Sequence, residues 1–582
     1  RLPMPLPRLT LPVRDYVTKG AGLEDALRAS EGQLGTVRVE LGAPPSMADV
    51  AAAREHYRKT GMPVAFKAYA RPGADSPLEA YSLSVAGDGS PSVRRYNLSV
   101  SIDALKGDPE LLDIVSGAGV TDLWLACFFN GNFYHPVEEV LEWKGRIEAK
   151  GMAVHNITIP LGHPSFTDKP PDYMPGVVLG AWKQGVRPDG TRHYGVSLHP
   201  PATEANVDAL RKIKTTDPKI VFVDDDYRLA PSPSDIGGCF CDDCKREFLE
   251  KHGYGAPQWD ALLGAVAERR LTAELRAWVT HQCDKLTACF RAQQAALAPE
   301  AELGIMVMYL GSEKAGIRLP DYTGVPFRVG ELMFGDASFA PVKGKTDELF
   351  SALFHRRFTP PERAYSETTA WPPDGLSAAN MAAKLSITTL ADVRNTMFMS
   401  GERAFPRTHW ATLAPEMRKQ AAIHRELAGH TPRGPFRHYW GEGARWAGDA
   451  NPYSLFLACG VPFEVADTVS DTGWTFLADA DAHEAAGDRC VTRAAGGAGR
   501  AVPETLETLF ALKRELLPAL GRVPVVAEDV PVVCAWYPTA RAALLWNLAE
   551  EAREVTLLAG KDRRPVALGP LGSELVRDVV CA

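Results

Sequence analysis

The feature that most constrains the fold of this 582-residue chain is an eightfold alternation of short apolar runs with longer amphipathic stretches, between residues 96 and 405. The apolar runs are Tyr96–Ile102, Asp122–Phe128, Ala153–Ile159, Ile220–Asp226, Leu303–Tyr309, Phe327–Phe334, Arg363–Thr368 and Asn395–Ser400. Consecutive parallel strands need a crossover of a dozen or more residues, usually a helix. The alternation therefore predicts an α/β fold with a parallel sheet, and eight units are the number in a (β/α)8, or TIM, barrel.

The stretches between the apolar runs are candidate helices and support the same fold. They include Val137–Lys150, Asn206–Lys214, Trp259–Ala298, Lys345–Arg357 and Ala378–Ala391. An open doubly wound sheet shares this alternation and is the competing topology. None of the eight runs is followed by a glycine-rich dinucleotide loop, so the open sheet has no support beyond the strand-helix alternation that both topologies share. We therefore predict a closed barrel over residues 96–417.

The first 95 residues contain a small strand and helix pattern of their own. Val37–Leu41 and Val64–Ala68 are predicted strands on either side of a helix at Met47–Thr60. Residues 71–92 are rich in glycine and proline and are predicted to form a loop. The sequence of residues 1–95 predicts no function.

Two smaller units are predicted after the barrel. Residues 418–525 are expected to form an α/β domain, with a helix at 504–520. Its predicted strands are Ser454–Cys459, Phe463–Val465 and Trp474–Leu477. Residues 526–582 contain short alternating runs separated by turn residues, which predict a small antiparallel β-sandwich.

Charge and hydropathy argue against two classes of partner. The chain has 64 Lys and Arg against 72 Asp and Glu, a formal net charge of −8, and no run of basic residues. Nucleic-acid binding needs clustered Lys and Arg. No apolar stretch approaches the roughly 20 residues of a membrane-spanning helix. Most of the ten cysteines lie in apolar runs, which is typical of buried free thiols in a reducing compartment, so we predict a cytoplasmic protein.

Polar residues at the carboxyl ends of the predicted strands are the candidates for function, because a barrel carries its active site at that face. The fourth run ends in three consecutive acids, Asp224, Asp225 and Asp226, and Arg228 follows. Adjacent carboxylates disfavour one another's ionisation, so the cluster needs a cation, a metal or a ligand nearby. A simpler interpretation is that one Asp caps the next helix while another pairs with Arg228.

The seventh run ends near Glu367, an acid isolated among serine, threonine and tyrosine. Two carboxylates across a barrel mouth suit cleavage of a glycosidic bond, since one protonates the leaving oxygen and the other attacks carbon or activates water. Aromatic faces near the strand ends would stack on sugar rings, although a surface Glu367 and core aromatic residues are the alternatives. The predicted substrate-binding residues are Asp224, Asp225, Arg228, Asn130, His155, Tyr309, Glu331, Asp336, Trp371 and Trp410.

A second constellation is the C-x-C-x2-C motif of Cys239, Cys241 and Cys244. Thiolates at this spacing can surround one metal, and tetrahedral sulfur sites favour structural zinc. Three ligands are too few for a closed site, so a fourth is expected from elsewhere. We assign Cys127, with His163 and His199 as alternatives; a chance cluster of free thiols is the other interpretation. No organic cofactor is predicted.

These motifs resemble those of the zinc-containing bacterial β-galactosidases. The resemblance rests on Val223–Tyr227, the segment Cys239–Phe248 and Tyr254-Gly255, and on Leu544–Leu548 near the C-terminus. It implies a (β/α)8 glycoside hydrolase with catalytic carboxylates on strands four and seven. It also implies a structural zinc, a Rossmann-like trimerisation domain, a small β-domain, and a homo-oligomer, either a dimer or a trimer.

The resemblance assigns roles to individual residues. Glu367 matches the nucleophile position, and the family's Asn-Glu pair falls on Asp225-Asp226, which makes Asp226 the acid/base. Aspartate is one methylene shorter than glutamate, so its carboxyl lies back by roughly 1.5 Å. Asp225 would stand where the family's Asn contacts the sugar 2-hydroxyl.

Two alternatives follow from the missing Asn-Glu pair. In an α-glycosidase-like barrel, one of the strand-four aspartates would be the nucleophile and Asp336 the acid. In the second, the barrel binds carbohydrate without catalysis.

Overall fold

A computed structural model of the chain describes most of the sequence. The described residues are 16–19, 23, 27, 37–41, 46–60, 64–69, 77–85, 93–164, 168–169, 182–224, 227–470, 472–485, 488–492 and 500–581. Asp225 and Asp226, to which the resemblance gives a sugar contact and the acid/base role, lie outside the described residues.

Eight parallel strands close into a barrel, which confirms the fold predicted from the sequence. Numbered β1 to β8, they are Arg95–Val100, Asp122–Leu125, Ala153–Thr158, Ile220–Val223, Glu302–Met306, Phe327–Arg328, Ala364–Tyr365 and Asn395–Met399. Closure comes from β8 pairing with β1, where Asn395 lies opposite Arg95. The seventh strand is interrupted, because Thr368–Thr369 resumes the pairing with β8 after a break that contains Glu367.

Helices surround the barrel and bury their apolar faces against it. In chain order they are Ile102–Gly107, Leu111–Ala118, Val137–Glu148, Ala202–Lys214, Asp242–His252, Ala256–Glu268, Ala273–Leu297, Asp336–Phe339, Val342–His355, Ala378–Leu390 and His409–Leu427. The single helix predicted at Trp259–Ala298 is therefore two, and Arg269 ends the first of them in a left-handed conformation. No helix among the described residues is long and apolar enough to span a membrane.

The barrel interior is a packed core. Side chains from alternate positions of several strands fill it, including Trp124, Phe222, Tyr365 and Met397, all of which are buried. Such filling is usual for an eight-stranded barrel, so the space for a ligand lies above the strands, at their carboxyl ends.

A four-stranded sheet precedes the barrel. Its strands are Tyr16–Lys19, Val37–Leu41, Val64–Tyr69 and Pro77–Val85, and the helix Met47–Thr60 connects the second to the third. The two predicted strands and the helix are confirmed. The loop predicted over residues 71–92 is wrong in part, because Pro77–Val85 pairs antiparallel with Val64–Tyr69. Glycine and proline on both sides of this short run obscured it in the sequence.

Beyond the barrel, a parallel sheet forms the α/β domain. Its strands are Phe436–His438, Phe463–Val465, Trp474–Leu477, Cys490–Thr492 and Arg500–Ala501. Two short helices, Glu442–Trp446 and Leu506–Leu516, belong to the same unit. The strand predicted at Ser454–Cys459 is wrong, since Leu455–Ala458 is a buried 3-10 helix. A short apolar run buried on all sides does not reveal its periodicity.

The last residues form two antiparallel sheets of three strands, as predicted. One sheet contains Val532–Tyr537, Ala542–Asn547 and Ser573–Arg577, and the other contains Val525–Val526, Arg553–Ala559 and Asp562–Leu568. Apolar side chains from both sheets, such as Leu545 and Leu557, pack together in one buried cluster.

The helix His409–Leu427 contacts several of these units. It packs against the barrel helix Ala378–Leu390 and against Met47–Thr60 of the N-terminal unit. Its Gln420 amide donates a 2.7 Å hydrogen bond to the Ser573 hydroxyl of the C-terminal sandwich, and both side chains are buried. The position of the predicted boundary, between residues 417 and 418, falls inside this helix.

Candidate active site

Glu367 is buried in the break of the seventh strand, at the carboxyl end of the barrel. Its side chain is only 3% exposed. Its Oε1 lies 3.2 Å from Nη2 of Arg328, and its Oε2 accepts a 3.3 Å hydrogen bond from the main-chain N–H of Glu331. Both donors belong to β6 or to the segment that follows it. A buried carboxylate requires such partners, and here they fix its orientation.

Arg328 connects Glu367 to the acidic end of β4. The arginine is completely buried, and its Nη2 also lies 3.7 Å from Oδ1 of Asp224. Asp224 itself is partly accessible, with 16% of its side chain exposed. Two of the predicted acidic strand ends, on β4 and β7, are therefore brought together around one guanidinium.

A second buried group of charges lies behind Glu367. The Nζ atom of Lys384 is 3.1 Å from Oε2 of Glu331 and 3.6 Å from Oε2 of Glu348, and all three side chains are at most 1% exposed. Oε1 of Glu348 accepts hydrogen bonds from the main-chain N–H groups of Leu332 and Met333, at 2.7 and 2.6 Å. Burial raises the pKa of Glu331 to about 8, although the ammonium of Lys384 opposes this shift. Burial therefore favours the neutral form of Glu331.

The rim of the mouth carries exposed aromatic and apolar side chains. Trp371, on the loop after the seventh strand, is 54% exposed, and the guanidinium of Arg403 lies 5.9 Å from its ring centroid. Leu332, on the loop after β6, is 44% exposed. On the hairpin after β2, the Asn130 amide donates a 3.3 Å hydrogen bond to the hydroxyl of Tyr134. Trp371 and Asn130 are thus accessible, and their predicted sugar contacts remain predictions.

Two aromatic residues predicted to contact substrate are in the core instead. Tyr309 is 3% exposed, and burial raises the pKa of its hydroxyl well above the ordinary value. Trp410 is 1% exposed and packs against Phe398 and Phe405. A position near a strand end does not determine whether a side chain is accessible, and these two are buried.

His155 and Asp336 also have structural contacts that differ from their predicted role. His155 is near the amino end of β3, where its Nε2 lies 2.9 Å from Oδ1 of Asp122. Asp336 accepts 2.8 Å hydrogen bonds from the main-chain N–H of Ser377 and the amide of Asn380, at the start of the next barrel helix. Both sets of contacts are within the protein, and the predicted substrate contacts of His155 and Asp336 remain predictions.

Arg228 is buried beside the fourth strand end. Its Nε donates a 2.9 Å hydrogen bond to the carbonyl of Ala230, in the same loop. The cation that the structure describes between Asp224 and Glu367 is Arg328. The predicted role of Arg228 at the acidic cluster remains a prediction.

The three cysteines of the C-x-C-x2-C motif form a buried cluster with His199. The ligand atoms of the four residues all lie within 4.8 Å of one another. Nε2 of His199 is 3.2 Å from Sγ of Cys239, 3.9 Å from that of Cys241 and 4.0 Å from that of Cys244. Tetrahedral zinc with bond lengths of about 2.0–2.3 Å places its ligand atoms at such separations. The donor set therefore fits a Cys3His zinc site.

The assignment of Cys127 as the fourth ligand is corrected in favour of His199, one of the two alternatives. Cys127 lies in the core after β2, with its Sγ 3.9 Å from Oδ1 of Asn156, and burial raises its pKa to about 12. The other alternative, His163, has its Nδ1 near the carbonyl of Pro160. The motif predicted three members of the cluster, whereas the fourth lies in a distant loop that no spacing rule identifies.

Sequence reasoning missed three charged residues of the site. Arg328 interrupts an apolar strand, Lys384 interrupts an apolar helix, and Glu348 lies on a helix that is buried over most of its length. A lone charge inside a buried element is the signal that could have found the first two, because such a charge requires a partner.

Comparison with known proteins supports the fold. No family model and no curated protein matches the chain. Among solved structures, it is similar to two of Gan42B, a GH42 beta-galactosidase from G. stearothermophilus, one of which is a catalytic mutant. The TM-scores are 0.53 and 0.52 at 10% sequence identity, and each match covers 84% of this chain and 98% of that chain.

Proposed function

We propose that the protein is a glycoside hydrolase that cleaves glycosidic bonds of oligosaccharides or other glycosides with two carboxylates at the barrel mouth. The observation that carries the proposal is the pairing of Glu367 with Asp224 through Arg328, at the face where barrels hold their active sites. The fold shared with Gan42B and the motifs described above support the same reaction class.

In this proposal Glu367 is the nucleophile. Its two oxygens are held by the Arg328 guanidinium and by the Glu331 main chain, so the carboxylate keeps one orientation. A carboxylate held beside a guanidinium is favoured in its ionised form, which attack on the anomeric carbon requires. Trp371, exposed on the adjoining loop, would offer its ring face to a sugar.

The acid/base role is proposed for the acidic segment at the carboxyl end of β4. Asp224 contacts the same guanidinium as Glu367, so it is suited to accept hydrogen bonds rather than to donate a proton. We therefore retain Asp226, two residues further along, as the acid/base, with Asp225 at the sugar hydroxyl. The contacts of Asp336 with Ser377 and Asn380 argue against an α-glycosidase arrangement in which Asp336 is the acid.

The test is a comparison of Glu367→Ala and Asp226→Ala on aryl glycosides of several sugars. We expect Glu367→Ala to lose activity on every substrate, and added azide to restore turnover with a glycosyl azide of inverted configuration. Asp226→Ala should lose activity on 4-nitrophenyl glycosides but keep much of it on dinitrophenyl glycosides, because a better leaving group needs less protonation.

A matched control is Glu250→Gln, which changes an exposed carboxylate on the helix Asp242–His252 and should retain wild-type rates. Activity retained in both alanine variants would contradict the assignment of the two carboxylates. Sugar binding without turnover on the whole panel would instead favour a carbohydrate-binding barrel.

We also propose that Cys239, Cys241, Cys244 and His199 hold a structural zinc. The cluster joins the loop before the helix Ala202–Lys214 to the loop after β4, which carries the aspartates. We expect about one zinc per chain by elemental analysis, and we expect a chelator or His199→Ala to lower the melting temperature. Cys127→Ser is the matched control and should leave the zinc content unchanged.

Three further properties are proposed from the sequence and its resemblance. The domain limits are 1–95, 96–417, 418–525 and 526–582, and the chain is expected to assemble into a dimer or trimer. A cytoplasmic location agrees with the structure, in which none of the ten cysteines forms a disulfide. Light scattering measures the oligomeric state directly, and a monomer would contradict this part of the proposal.

A further inference from the structure

The segment after β6, whose main chain donates a hydrogen bond to Glu367, is held in place by a buried cluster of charged side chains. The proposed reaction gives this cluster no role. Its members are Glu331, Glu348 and Lys384, which we call the rear cluster. The side chain of Glu348, from the helix Val342–His355, accepts from the main chain of Leu332 and Met333. The Glu331 side chain accepts a hydrogen bond from the ammonium of Lys384, which lies on the helix Ala378–Leu390. The main-chain N–H of Glu331, next to these two contacts in the chain, donates the hydrogen bond that Glu367 accepts.

Three ionisable side chains buried together are costly, because each loses its hydration. The rear cluster is nevertheless enclosed, with at most 1% of each side chain exposed. The ammonium of Lys384 also interacts with the charge of Glu367 itself. The cluster therefore acts on Glu367 in two ways, through the main chain of Glu331 and through its electric field.

We infer that Lys384 is a positioning residue for the proposed nucleophile: with Glu331 and Glu348 it orients the N–H donor to Glu367 and supplies positive charge behind that carboxylate. This inference rests on the proposed function for its catalytic consequence. The orientation and charge of Glu367 are properties of the folded chain and can be measured without turnover.

The net charge of the rear cluster determines the direction of the effect. Burial favours the neutral form of Glu331, whereas burial of Lys384 is outweighed by the neighbouring acids, Glu348 first, so that its pKa is raised. Lys384 is thus the cation of the cluster, and Glu348 and Glu331 are its acidic partners. Besides these, the described charged groups that contact Glu367 or share its partner are Arg328 and Asp224.

Removing each charge should shift the titration of Glu367 in a predictable direction. Lys384→Met leaves the Glu348 carboxylate uncompensated, so the titration midpoint of Glu367 should rise, by on the order of one pH unit. Glu348→Gln keeps an acceptor for the Leu332 and Met333 N–H groups but removes a negative charge, so the midpoint should fall. The double variant Lys384→Met/Glu348→Gln should return it close to the wild-type value.

The readout is infrared difference spectroscopy of the full chain across pH, with Glu367→Gln used to identify the carboxylate band of Glu367. The matched control is Lys314→Met, which removes another buried lysine side chain, one that donates to the carbonyl of Ala444 and lies under the α/β domain. Opposite shifts in the two single variants, with Lys314→Met unchanged, are the expected result. If Lys384→Met does not fold, the inference is tested by the expected fall of the Glu367 titration midpoint in Glu348→Gln.

The same variants are assayed for the acidic limb of kcat/KM. If the proposed function is correct, this limb moves with the infrared midpoint, while a purely structural role would lower stability without moving it. A midpoint unmoved by Glu348→Gln, or moved equally by Lys314→Met, would overturn the inference. Shifted midpoints in a protein without hydrolytic activity would uphold the positioning role and contradict the proposed function instead.

Discussion

The barrel contains a buried group of charges at each end of its strands, and the two groups are built differently. At the amino ends, one carboxylate, Asp122, has hydrogen bonds from Thr121 and Arg95 and a contact with His155. Among the residues that the structure describes at the carboxyl ends, the acidic side chains outnumber the cations that contact them. The acids are Asp224, Glu331, Glu348 and Glu367, and the cations that contact them are Arg328 and Lys384.

The pKa shifts of the two ends reflect this difference. Burial opposes ionisation at both, but hydrogen bonds from His155, Thr121 and Arg95 overcome it and lower the pKa of Asp122. At the other end, burial prevails and raises the pKa of Glu331. A well-partnered carboxylate stabilises the fold, whereas an excess of buried acids shifts their pKa values, as the proposed reaction at that end would require.

The largest expected difference between the two ends is in activity. If Glu367 is the nucleophile, as proposed, Glu367→Gln should lower kcat by about 10³-fold or more, because no other group can replace it. Asp122→Asn, which changes an equally buried carboxylate at the opposite end, should lower the melting temperature while kcat stays within about threefold of wild type. Kinetics on aryl glycosides and thermal unfolding measure both effects. An equal loss of kcat in the two variants would remove the functional distinction between the ends.

A smaller difference is expected in stability when the arginine of each end is removed. Arg328→Met leaves Asp224 and Glu367 facing each other without the cation they share, and should cost about 3–5 kcal/mol. Arg95 is 53% exposed, so Arg95→Met should cost no more than about 1 kcal/mol. Denaturant unfolding measures the free energy of unfolding of both variants. Similar losses would show that the guanidinium shared by Asp224 and Glu367 stabilises the protein no more than the exposed Arg95 does.

The smallest effects are in the pH dependence of stability, and they have opposite signs. The pKa of Glu331 rises from 4.5 to about 8 on folding, so its contribution is complete below pH 4.5 and is lost as the pH rises through 8. The pKa of Asp122 falls below 3.8, so its contribution is present above that pH and is lost on acidification.

Glu331→Gln should therefore flatten the stability profile on the alkaline side, and Asp122→Asn should flatten it on the acidic side. Melting temperatures from pH 3 to pH 9 test both. If both variants change the same side of the profile, the contrast between the two ends is incorrect.

The fold was largely predictable because its elements are governed by local pattern. Each barrel strand is an apolar run, and each crossover is long enough for a helix, so the closed barrel follows from periodicity. Glu367 was found because it follows an apolar run, and Cys239, Cys241 and Cys244 because their spacing is short. The 3-10 helix at Leu455–Ala458 was missed because its burial on all sides removes the periodic signal.

The contacts between elements were not predictable in the same way. Arg328 joins residues from β4 and β7, and no spacing in the sequence encodes that meeting. His199 rather than Cys127 lies beside the three cysteines, although it is 40 residues away from Cys239 in the sequence. Tyr309 and Trp410 show the same limit, since the direction of a side chain at a strand end depends on the packed structure.

The helix His409–Leu427 has a consequence for how this chain is assembled. It is at once the last helix of the barrel, a support for the N-terminal helix and the surface to which the C-terminal sandwich bonds. Its Lys419 and Glu426 pair with Glu574 and Arg577 of that sandwich. The same helix therefore belongs to the packing of all three units. Cutting the chain to isolate the barrel would expose the faces of this helix that the N-terminal helix and the C-terminal sandwich now cover, so we expect the isolated barrel to be less stable than the barrel in the full chain.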